Sequence, residues 1–309
     1  MSGPPPRQTA SSRGGGRTPS QPSTQGHAMT TAGRLVWGRD TIAGAITQHG
    51  VGGTGRPVLF LHGWGLSART YEPALRRLLA VGRRVYAPSL PGFGGTAPLA
   101  QDDVSLESYA EWVADYVHSA NIDTPIDVVG HSFGGGVGIR LAHDAPDMVG
   151  RLILVNAIGG SAWRDGRGVV RPMAERPLWD WGFQLRNEVR PSRRAALAMP
   201  RIVREAVPNL ARNPGVVWRV ASMARAADLA IELATLRRRR LPVTVTWSDR
   251  DTVIPFSSFA ALRAALGDPH SVIVSGGHGW LIDDARLFGQ VLPDLFAERD
   301  DESTRLPAA

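Results

Sequence analysis

Gly130-His131-Ser132-Phe133-Gly134 is the stretch that decides the fold, because it spells G-x-S-x-G between an apolar run and a run of small residues. The run before it, 126–129, predicts a short buried strand, and the run after it, 135–142, predicts a helix. A sharp turn between the two strains the backbone of Ser132, so its neighbours must be small. A serine held there, at the carboxyl edge of a sheet, is a candidate nucleophile. The alternative is a glycine-rich turn with an incidental serine.

A serine hydroxyl needs a base to take its proton, and the base needs an acid to hold its tautomer. Two later strand-like segments, 241–247 and 271–274, each end in such groups. Asp249 and Asp251 follow the first segment, and His278 follows the second. Because the carboxyl ends of parallel strands meet at one edge of a sheet, we expect the histidine and one aspartate to lie beside the serine.

These motifs resemble those of the α/β-hydrolases, a group that includes esterases, lipases, cofactor-free haloperoxidases and carbon–carbon bond hydrolases. The resemblance runs from about residue 58 to about residue 296. The loop 247–255 is similar to the family pattern W-G-x-x-D-x-x-V-P, which implies that Asp251 is the acid and leaves Asp249 as the rival. His278 matches the family histidine. The resemblance implies an α/β fold, with a mostly parallel twisted sheet, flanking helices and an inserted helical cap.

The apolar run 57–61 ends in the sequence H-G-W-G. In the family this loop supplies one oxyanion donor, which implies the backbone N–H of Trp64. The second donor is then the N–H of Phe133, directly after the nucleophile. His62 matches a position that packs and bonds to the backbone in such proteins, and His131 follows the common G-H-S form of the elbow, so we do not expect either to act as a base.

Composition excludes several other chemistries. The 309 residues contain no cysteine, and all 35 basic residues are arginine. The chain therefore has no thiolate nucleophile, no lysine for a Schiff base and no serine–lysine dyad. No H-E-x-x-H motif or similar metal cluster occurs in the sequence, so we expect no metal and no cofactor.

Strand-like runs alternate with helical patterns, which predicts a core over 34–160 and 241–298. Residues 1–33 are rich in Gly, Pro, Ser and Thr and contain no acidic residue, so we predict a disordered tail, with Met29 as an alternative start. A flexible tail is predicted over 299–309. We predict a cytoplasmic protein, because no secretory h-region and no membrane-spanning run occurs.

The segment 161–240 interrupts the alternation and predicts a cap of several helices separated by prolines. It contains 17 arginines against 7 acidic residues, including the run Arg237–Arg240. Such a basic cap could attract anionic substrates or an acidic surface. We interpret the arginines as a solvated helix face, and no motif predicts a nucleic-acid partner. The residues expected to line an apolar pocket are Trp163, Trp179, Trp181, Trp218 and Trp280.

The sequence thus predicts a metal-free serine hydrolase in which Ser132, His278 and Asp251 transfer an acyl group. The favoured substrates are small-molecule carboxylic esters with an apolar acyl or alcohol part. A carbon–carbon bond hydrolase remains an alternative, with cap arginines holding a substrate carboxylate. So do a cofactor-free perhydrolase and a non-catalytic small-molecule receptor. The oligomeric state is not predicted.

Overall fold

The computed structural model describes residues 33–42, 44–177 and 193–297, besides the isolated Met1 and Gly3. The tail predicted over 1–33 lies almost wholly outside these residues, and the tail predicted over 299–309 lies entirely outside them. Within the described ranges no helix has the length and apolar character needed to cross a membrane.

The described residues form ten strands and nine α-helices. The strands are β1 Leu35–Ile42, β2 Ala45–Gly52, β3 Pro57–Leu61, β4 Arg84–Pro88, β5 Ile126–His131, β6 Val149–Val155, β7 Ala162–Arg164, β8 Val170–Pro172, β9 Val243–Ser248 and β10 His270–Val274. The helices are α1 Glu72–Ala80, α2 Leu106–Ser119, α3 Phe133–Asp144, α4 Arg193–Arg212, α5 Pro214–Ala226, α6 Ala230–Arg238, α7 Phe256–Leu266, α8 Trp280–Asp283 and α9 Ala285–Leu295. Short 3-10 turns occur at Ala68–Tyr71, Gln101–Asp103 and Met173–Glu175.

Eight of these strands form one sheet with the order β1-β2-β4-β3-β5-β6-β9-β10. The pairs β1–β2 and β2–β4 are antiparallel, whereas every pair from β4 to β10 is parallel. Side chains alternate between the two faces of the strands. One face packs on α2, α3, α6 and α7, and the other packs on α1, α8 and α9. The predicted mostly parallel sheet with flanking helices is confirmed.

The segment predicted as a cap, 161–240, differs from the expectation in two ways. Prolines 200 and 208 lie inside α4 instead of separating two helices. The apolar face that α4 packs on the core stabilises it across the missing N–H donors. In addition, α6 belongs to the core, because Leu233 and Leu236 are fully buried in the cluster that includes α3 and α7. The cap therefore ends before α6.

The turn between β5 and α3 holds Ser132 in a conformation that L-residues rarely adopt, with φ 53° and ψ −118°. The first turn of α3 lies directly on the ends of the neighbouring strands. A Cβ on Gly134 would lie 2.3 Å from the carbonyl oxygen of Leu61, and a Cβ on Gly130 would lie 2.6 Å from that of Gly134. Only glycine fits at these two positions, as the sequence motif requires.

Gly134→Ala is expected to lower the melting temperature by more than about 10 °C, because its methyl group would collide with backbone that cannot move aside. Gly138, on the same helix, provides the matched control, since a Cβ there meets nothing nearer than the Leu152 side chain at 3.2 Å. Gly138→Ala should leave the melting temperature within about 3 °C, because a helix-propensity gain of about 1 kcal/mol offsets the tighter contact. Thermal unfolding followed by circular dichroism measures both variants, and equal shifts would contradict the prediction.

Candidate active site

Three side chains that the sequence predicts to act together meet at the carboxyl edge of the sheet. Ser132 follows β5, Asp251 follows β9 and His278 follows β10. The Nε2 atom of His278 lies 2.9 Å from Ser132 Oγ, and its Nδ1 atom lies 2.9 Å from Asp251 Oδ2. In the tautomer that satisfies both contacts, Nδ1–H donates to the carboxylate and Nε2 accepts from the hydroxyl. This is the arrangement that lets a histidine take the proton of a serine.

Asp251 has no exposed side-chain surface, and hydrogen bonds hold both of its oxygens. The Oδ1 atom accepts the backbone N–H groups of Val253 at 2.9 Å and Ile254 at 2.8 Å. The Oδ2 atom accepts Asn156 Nδ2 at 2.5 Å in addition to the His278 ring. Bonds from its own loop therefore fix the orientation of the Asp251 carboxylate, and the carboxylate in turn orients the His278 ring.

Asp249, the rival acid, contacts the backbone of the loop that carries His278 and not the His278 ring. Its Oδ1 atom accepts the Gly276 N–H at 3.0 Å and lies 3.6 Å from Arg250 Nε. Its side chain is half exposed, in contrast to that of Asp251. The geometry thus favours Asp251 as the partner of His278, in agreement with the family pattern.

Two residues that the sequence analysis does not connect with the acid hold it in place. Asn156 follows β6 with a left-handed φ of 46°, and its Nδ2 donates both to Asp251 and to Ser248 Oγ at 2.7 Å. Its Oδ1 accepts the Nε1–H of Trp280 at 2.9 Å. Trp280 is only 2% exposed, so the structure places it behind the acid and corrects the expectation that it lines the pocket. In the sequence, the position of Asn156 directly after a central parallel strand could have indicated this role.

The predicted oxyanion donors lie beside the serine. Phe133 is the first residue of α3, so its N–H has no acceptor within the helix. Trp64, in the loop after β3, lines the same cavity as Ser132 and Phe133. The Nε1–H of Trp64 donates to the carbonyl of Val217 at 2.8 Å, which ties this loop to α5. Both residues therefore line the cavity next to Ser132.

A buried hydrogen-bond chain joins the loop after β3 to the loop that carries His278. The Gly63 N–H donates to Tyr71 Oη at 3.1 Å, and the Tyr71 hydroxyl donates to His131 Nδ1 at 2.8 Å. The Nε2–H of His131 then donates to the carbonyl oxygen of His278 at 3.0 Å. His131 therefore restrains the backbone of the base rather than acting on the serine.

Burial keeps His62 and His131 neutral. The Nδ1–H of His62 donates to the Gly63 carbonyl at 2.8 Å, and its Nε2 accepts the Leu90 N–H at 2.8 Å. Burial lowers the pKa of His62 to about 4, partly opposed by the bond to Gly63. Burial, assisted by the neighbouring His278, lowers the pKa of His131 to about 3. The contacts of His62 agree with the expectation that it packs and bonds to the backbone.

A cavity of about 410 Å³ opens over Ser132 and His278, a volume within the usual range of small-molecule sites. Its cap side is aliphatic. It is lined there by Met199, Ile202, Ala206 and Leu210 of α4 and by Val217 and Ala224 of α5. No arginine occurs among the described lining residues, and Asp283 contributes an acidic side chain. The described lining of the cavity is therefore mainly apolar.

The tryptophans predicted to line this pocket lie elsewhere. Trp218 is 60% exposed, and neither it nor Trp163 of β7 lines the described cavity. Trp218 does not line the cavity because of its position on α5. Val217 faces the cavity, and the next residue along the helix faces solvent. Trp179 and Trp181 lie outside the described residues.

One cap side chain connects the roof of the cavity with the oxyanion loop. Asn209 of α4 is 3% exposed, and its Oδ1 accepts the Gly94 N–H at 2.9 Å. Its Nδ2 donates to the carbonyls of Gly65 at 3.0 Å and Leu66 at 3.2 Å, directly after Trp64. This amide therefore sets the position of α4 relative to the loop, and the sequence analysis does not identify it.

Comparisons with known proteins agree with this fold. A family model described as "Alpha/beta hydrolase family" matches residues 58–290. The chain is 28% identical over 276 residues to an uncharacterised protein of Mycobacterium tuberculosis (strain ATCC 25618 / H37Rv), which covers 80% of this chain and 77% of that protein. It is 27% identical over 261 residues to a Mycobacterium phage D29 protein named as a non-heme haloperoxidase, covering 80% and 91%. A solved structure described as a lipase of Acinetobacter baumannii AYE shares the fold, with a TM-score of 0.67, 20% identity and coverage of 84% and 90%.

The two neutral histidines predict a loss of stability at acidic pH. Their pKa values are about 4 and about 3 in the folded protein, below the ordinary value of 6.5. As the pH falls below 6.5, the unfolded chain binds protons that the folded chain does not. The free energy of unfolding therefore has its full value above that pH and decreases below it. We expect the melting temperature to fall by about 10 °C between pH 6.5 and pH 4.5.

His62→Gln should make the pH dependence of the melting temperature shallower over this range, because one of the two neutral histidines is gone. His118 is exposed on α2, so His118→Gln is the matched control and should retain the slope of the parent protein. Differential scanning calorimetry in a pH series measures all three proteins. Identical slopes for His62→Gln and the parent would contradict the assignment.

Proposed function

The chain belongs to the alpha/beta hydrolase family, and we propose that it is a serine hydrolase that cleaves carboxylic esters with apolar acyl or alcohol groups. The observation that carries this proposal is the hydrogen-bonded series Ser132, His278 and Asp251 beside an aliphatic cavity. The series provides the nucleophile, base and acid of acyl transfer. The cavity provides space for the substrate.

In the proposed reaction, Ser132 Oγ attacks the ester carbonyl while its proton passes to His278 Nε2. The tetrahedral intermediate collapses when the imidazolium gives this proton to the leaving alcohol, which leaves an acyl group on Ser132. Water then enters, His278 takes its proton, and the resulting hydroxide attacks the acyl carbon. The second intermediate releases the carboxylic acid and restores the serine. Throughout, Asp251 holds the tautomer and stabilises the imidazolium.

The negative oxygen of each intermediate is stabilised by the backbone N–H groups of Trp64 and Phe133. A donor of this kind contributes about 3 kcal/mol to transition-state stabilisation in other hydrolases. Its effect depends on donors that are already in place when charge develops. The bonds from Trp64 to Val217 and from Asn209 to the following residues support this role, because they restrain the loop before substrate binds.

The described lining of the cavity favours the ester reaction over cleavage of a carbon–carbon bond in a substrate that bears a carboxylate. That alternative relied on cap arginines, and no arginine occurs among the described residues that line the cavity. Perhydrolysis uses the same three residues with peroxide in place of water. The haloperoxidase-named relative supports it as the second candidate.

Asp251→Asn is expected to slow hydrolysis of p-nitrophenyl butyrate by about 10³- to 10⁴-fold, because the amide holds His278 in the wrong tautomer. Asp249→Asn removes an equal charge from the same loop and should retain activity within about threefold. Ser132→Ala sets the background rate and should abolish fluorophosphonate labelling. The proposal fails if folded Ser132→Ala keeps substantial turnover, and a larger loss in Asp249→Asn would show that the acid is misassigned. The same assay with hydrogen peroxide measures perhydrolysis.

Ala206→Leu should shorten the acyl chain that the enzyme accepts, because Ala206 lines the cavity from α4. We expect kcat/KM for p-nitrophenyl octanoate to fall about tenfold relative to the acetate ester, the scale of a hydrophobic pocket contact. Ala211→Leu adds the same volume at an exposed position of α4 and should keep the parent profile. Fluorophosphonate labelling should be unchanged in both. An unaltered octanoate-to-acetate ratio in Ala206→Leu would show that the acyl group binds elsewhere.

A further inference from the structure

A second cavity lies at the opposite edge of the sheet from Ser132. It has a volume of about 560 Å³ and is formed where β6, β9 and β10 begin, whereas the candidate active site is formed where parallel strands end. Its lining includes Arg56, Arg151, Arg237, Arg240 and His270, and no acidic residue occurs among the described residues that line it. We call this cavity the basic cleft. The proposed ester chemistry makes no use of it.

One carboxylate lies behind the cleft and pairs with one of its arginines. The fully buried Asp127 lies 3.2 Å from Arg56 Nη2 and 3.1 Å from Arg83 Nη1. Arg56 and Arg83 therefore share a single buried carboxylate. Burial lowers the pKa of Arg83, Asp127 raises it, and the nearby Arg56 and Arg151 lower it again.

Two further arginines of the cleft have no described acidic partner. Arg237 and Arg240 are exposed, and no carboxylate of the described chain lies within ion-pair distance of either. Both come from the run Arg237–Arg240, which the sequence analysis interprets as a solvated helix face. The four arginines of this run differ in their contacts. Arg239 donates to the Ala142 carbonyl at 2.7 Å, and Arg238 donates to Thr235 Oγ1 at 2.7 Å. Arg237 and Arg240 alone among the four line the cleft.

Arg240 also occupies a backbone position that favours glycine. Its φ is 54°, and the bonds Arg240 N–H to Arg237 O and Leu241 N–H to Leu236 O close α6 in the manner of a Schellman motif. Glycine is the usual residue at such a position, and an arginine here places a positive charge at the end of α6, beside the cleft.

A polar atom without a partner completes the cleft. His270 begins β10, and its Nε2 atom is buried without a hydrogen-bond partner among the described residues. A buried polar atom of this kind costs free energy unless a ligand or water satisfies it.

We propose that the basic cleft binds a small anion with two or more phosphate groups. Guanidinium groups bind phosphate oxygens through paired, charge-assisted hydrogen bonds, and several of them converge here without a competing carboxylate in the described lining. The volume exceeds what a single phosphate needs, which favours a diphosphate-bearing ligand. The site is independent of Ser132, so its test does not depend on the proposed ester hydrolysis.

Isothermal titration calorimetry of the full chain with inorganic pyrophosphate at physiological salt tests this proposal. We expect pyrophosphate to bind with a submillimolar Kd, and orthophosphate to bind at least tenfold more weakly. Arg240→Gln should raise the Kd for pyrophosphate about tenfold, whereas Arg238→Gln, which removes the same charge from the same run outside the cleft, should change it less than twofold. Ester turnover should be unchanged in both variants.

Arg240→Gly gives a second, independent readout. It should raise the melting temperature of the free protein, because glycine suits the left-handed position, and it should weaken pyrophosphate binding at least as much as Arg240→Gln. The proposal is overturned if the parent protein gives no binding up to about 5 mM pyrophosphate. It is also overturned if Arg238→Gln and Arg240→Gln weaken binding equally, since the attraction would then be a general effect of net charge.

Discussion

The close contact between the first turn of α3 and the end of β3 is the constraint on which the rest of the site depends. Gly134 lies so near the Leu61 carbonyl that even a methyl group is excluded. This contact brings the start of α3 against the sheet, and the chain reaches it only through the strained turn at Ser132. The same contact brings the Phe133 N–H and the Trp64 loop to one side of the serine. The strain of the turn is therefore balanced by the close packing at the glycines. One local arrangement positions both Ser132, the proposed nucleophile, and the N–H groups that we propose stabilise a negative oxygen.

Hydrogen bonds hold both the ring and the backbone of His278, the proposed base, and the outer groups of these bonds are neutral. On the ring side, Trp280 bonds to Asn156, which orients the carboxylate of Asp251, and that carboxylate orients the imidazole of His278. On the backbone side, His131 bonds to the carbonyl of the same histidine. A charged group in place of any of these neutral ones would alter the electrostatic field at the imidazole. The site thus concentrates its ionised groups on the reacting residues and positions them with amides, an indole and an uncharged histidine.

The sequence predicts the elements that local patterns determine and misses what depends on tertiary contacts. The strand, sharp turn and helix around Ser132 follow from apolar spacing and small residues, and the relative order of Asp251 and His278 follows from where the strands end. The pocket lining does not follow, because apolar character cannot distinguish Val217, which faces the cavity, from Trp218, which faces solvent. The prediction that prolines 200 and 208 separate helices is wrong for a related reason. Packing stabilises α4 where the local propensity of proline would interrupt a helix. Asn156 and Asn209 escape prediction because their importance lies entirely in partners distant along the chain.

The cavity lining and the proposed catalytic side chains belong to different parts of the chain, and this separation affects how the protein can change during evolution. Four of the cavity's aliphatic residues lie on one face of α4, at positions 199, 202, 206 and 210, whereas the reacting side chains all belong to loops of the sheet. A substitution on that face alters the shape of the cavity and leaves the strained turn and the hydrogen-bonded base intact. The Asn209 amide keeps the position of α4 relative to the loop after β3. New substrate preferences are therefore accessible through single steps on one helix, and adaptation can proceed without passing through an inactive ancestor.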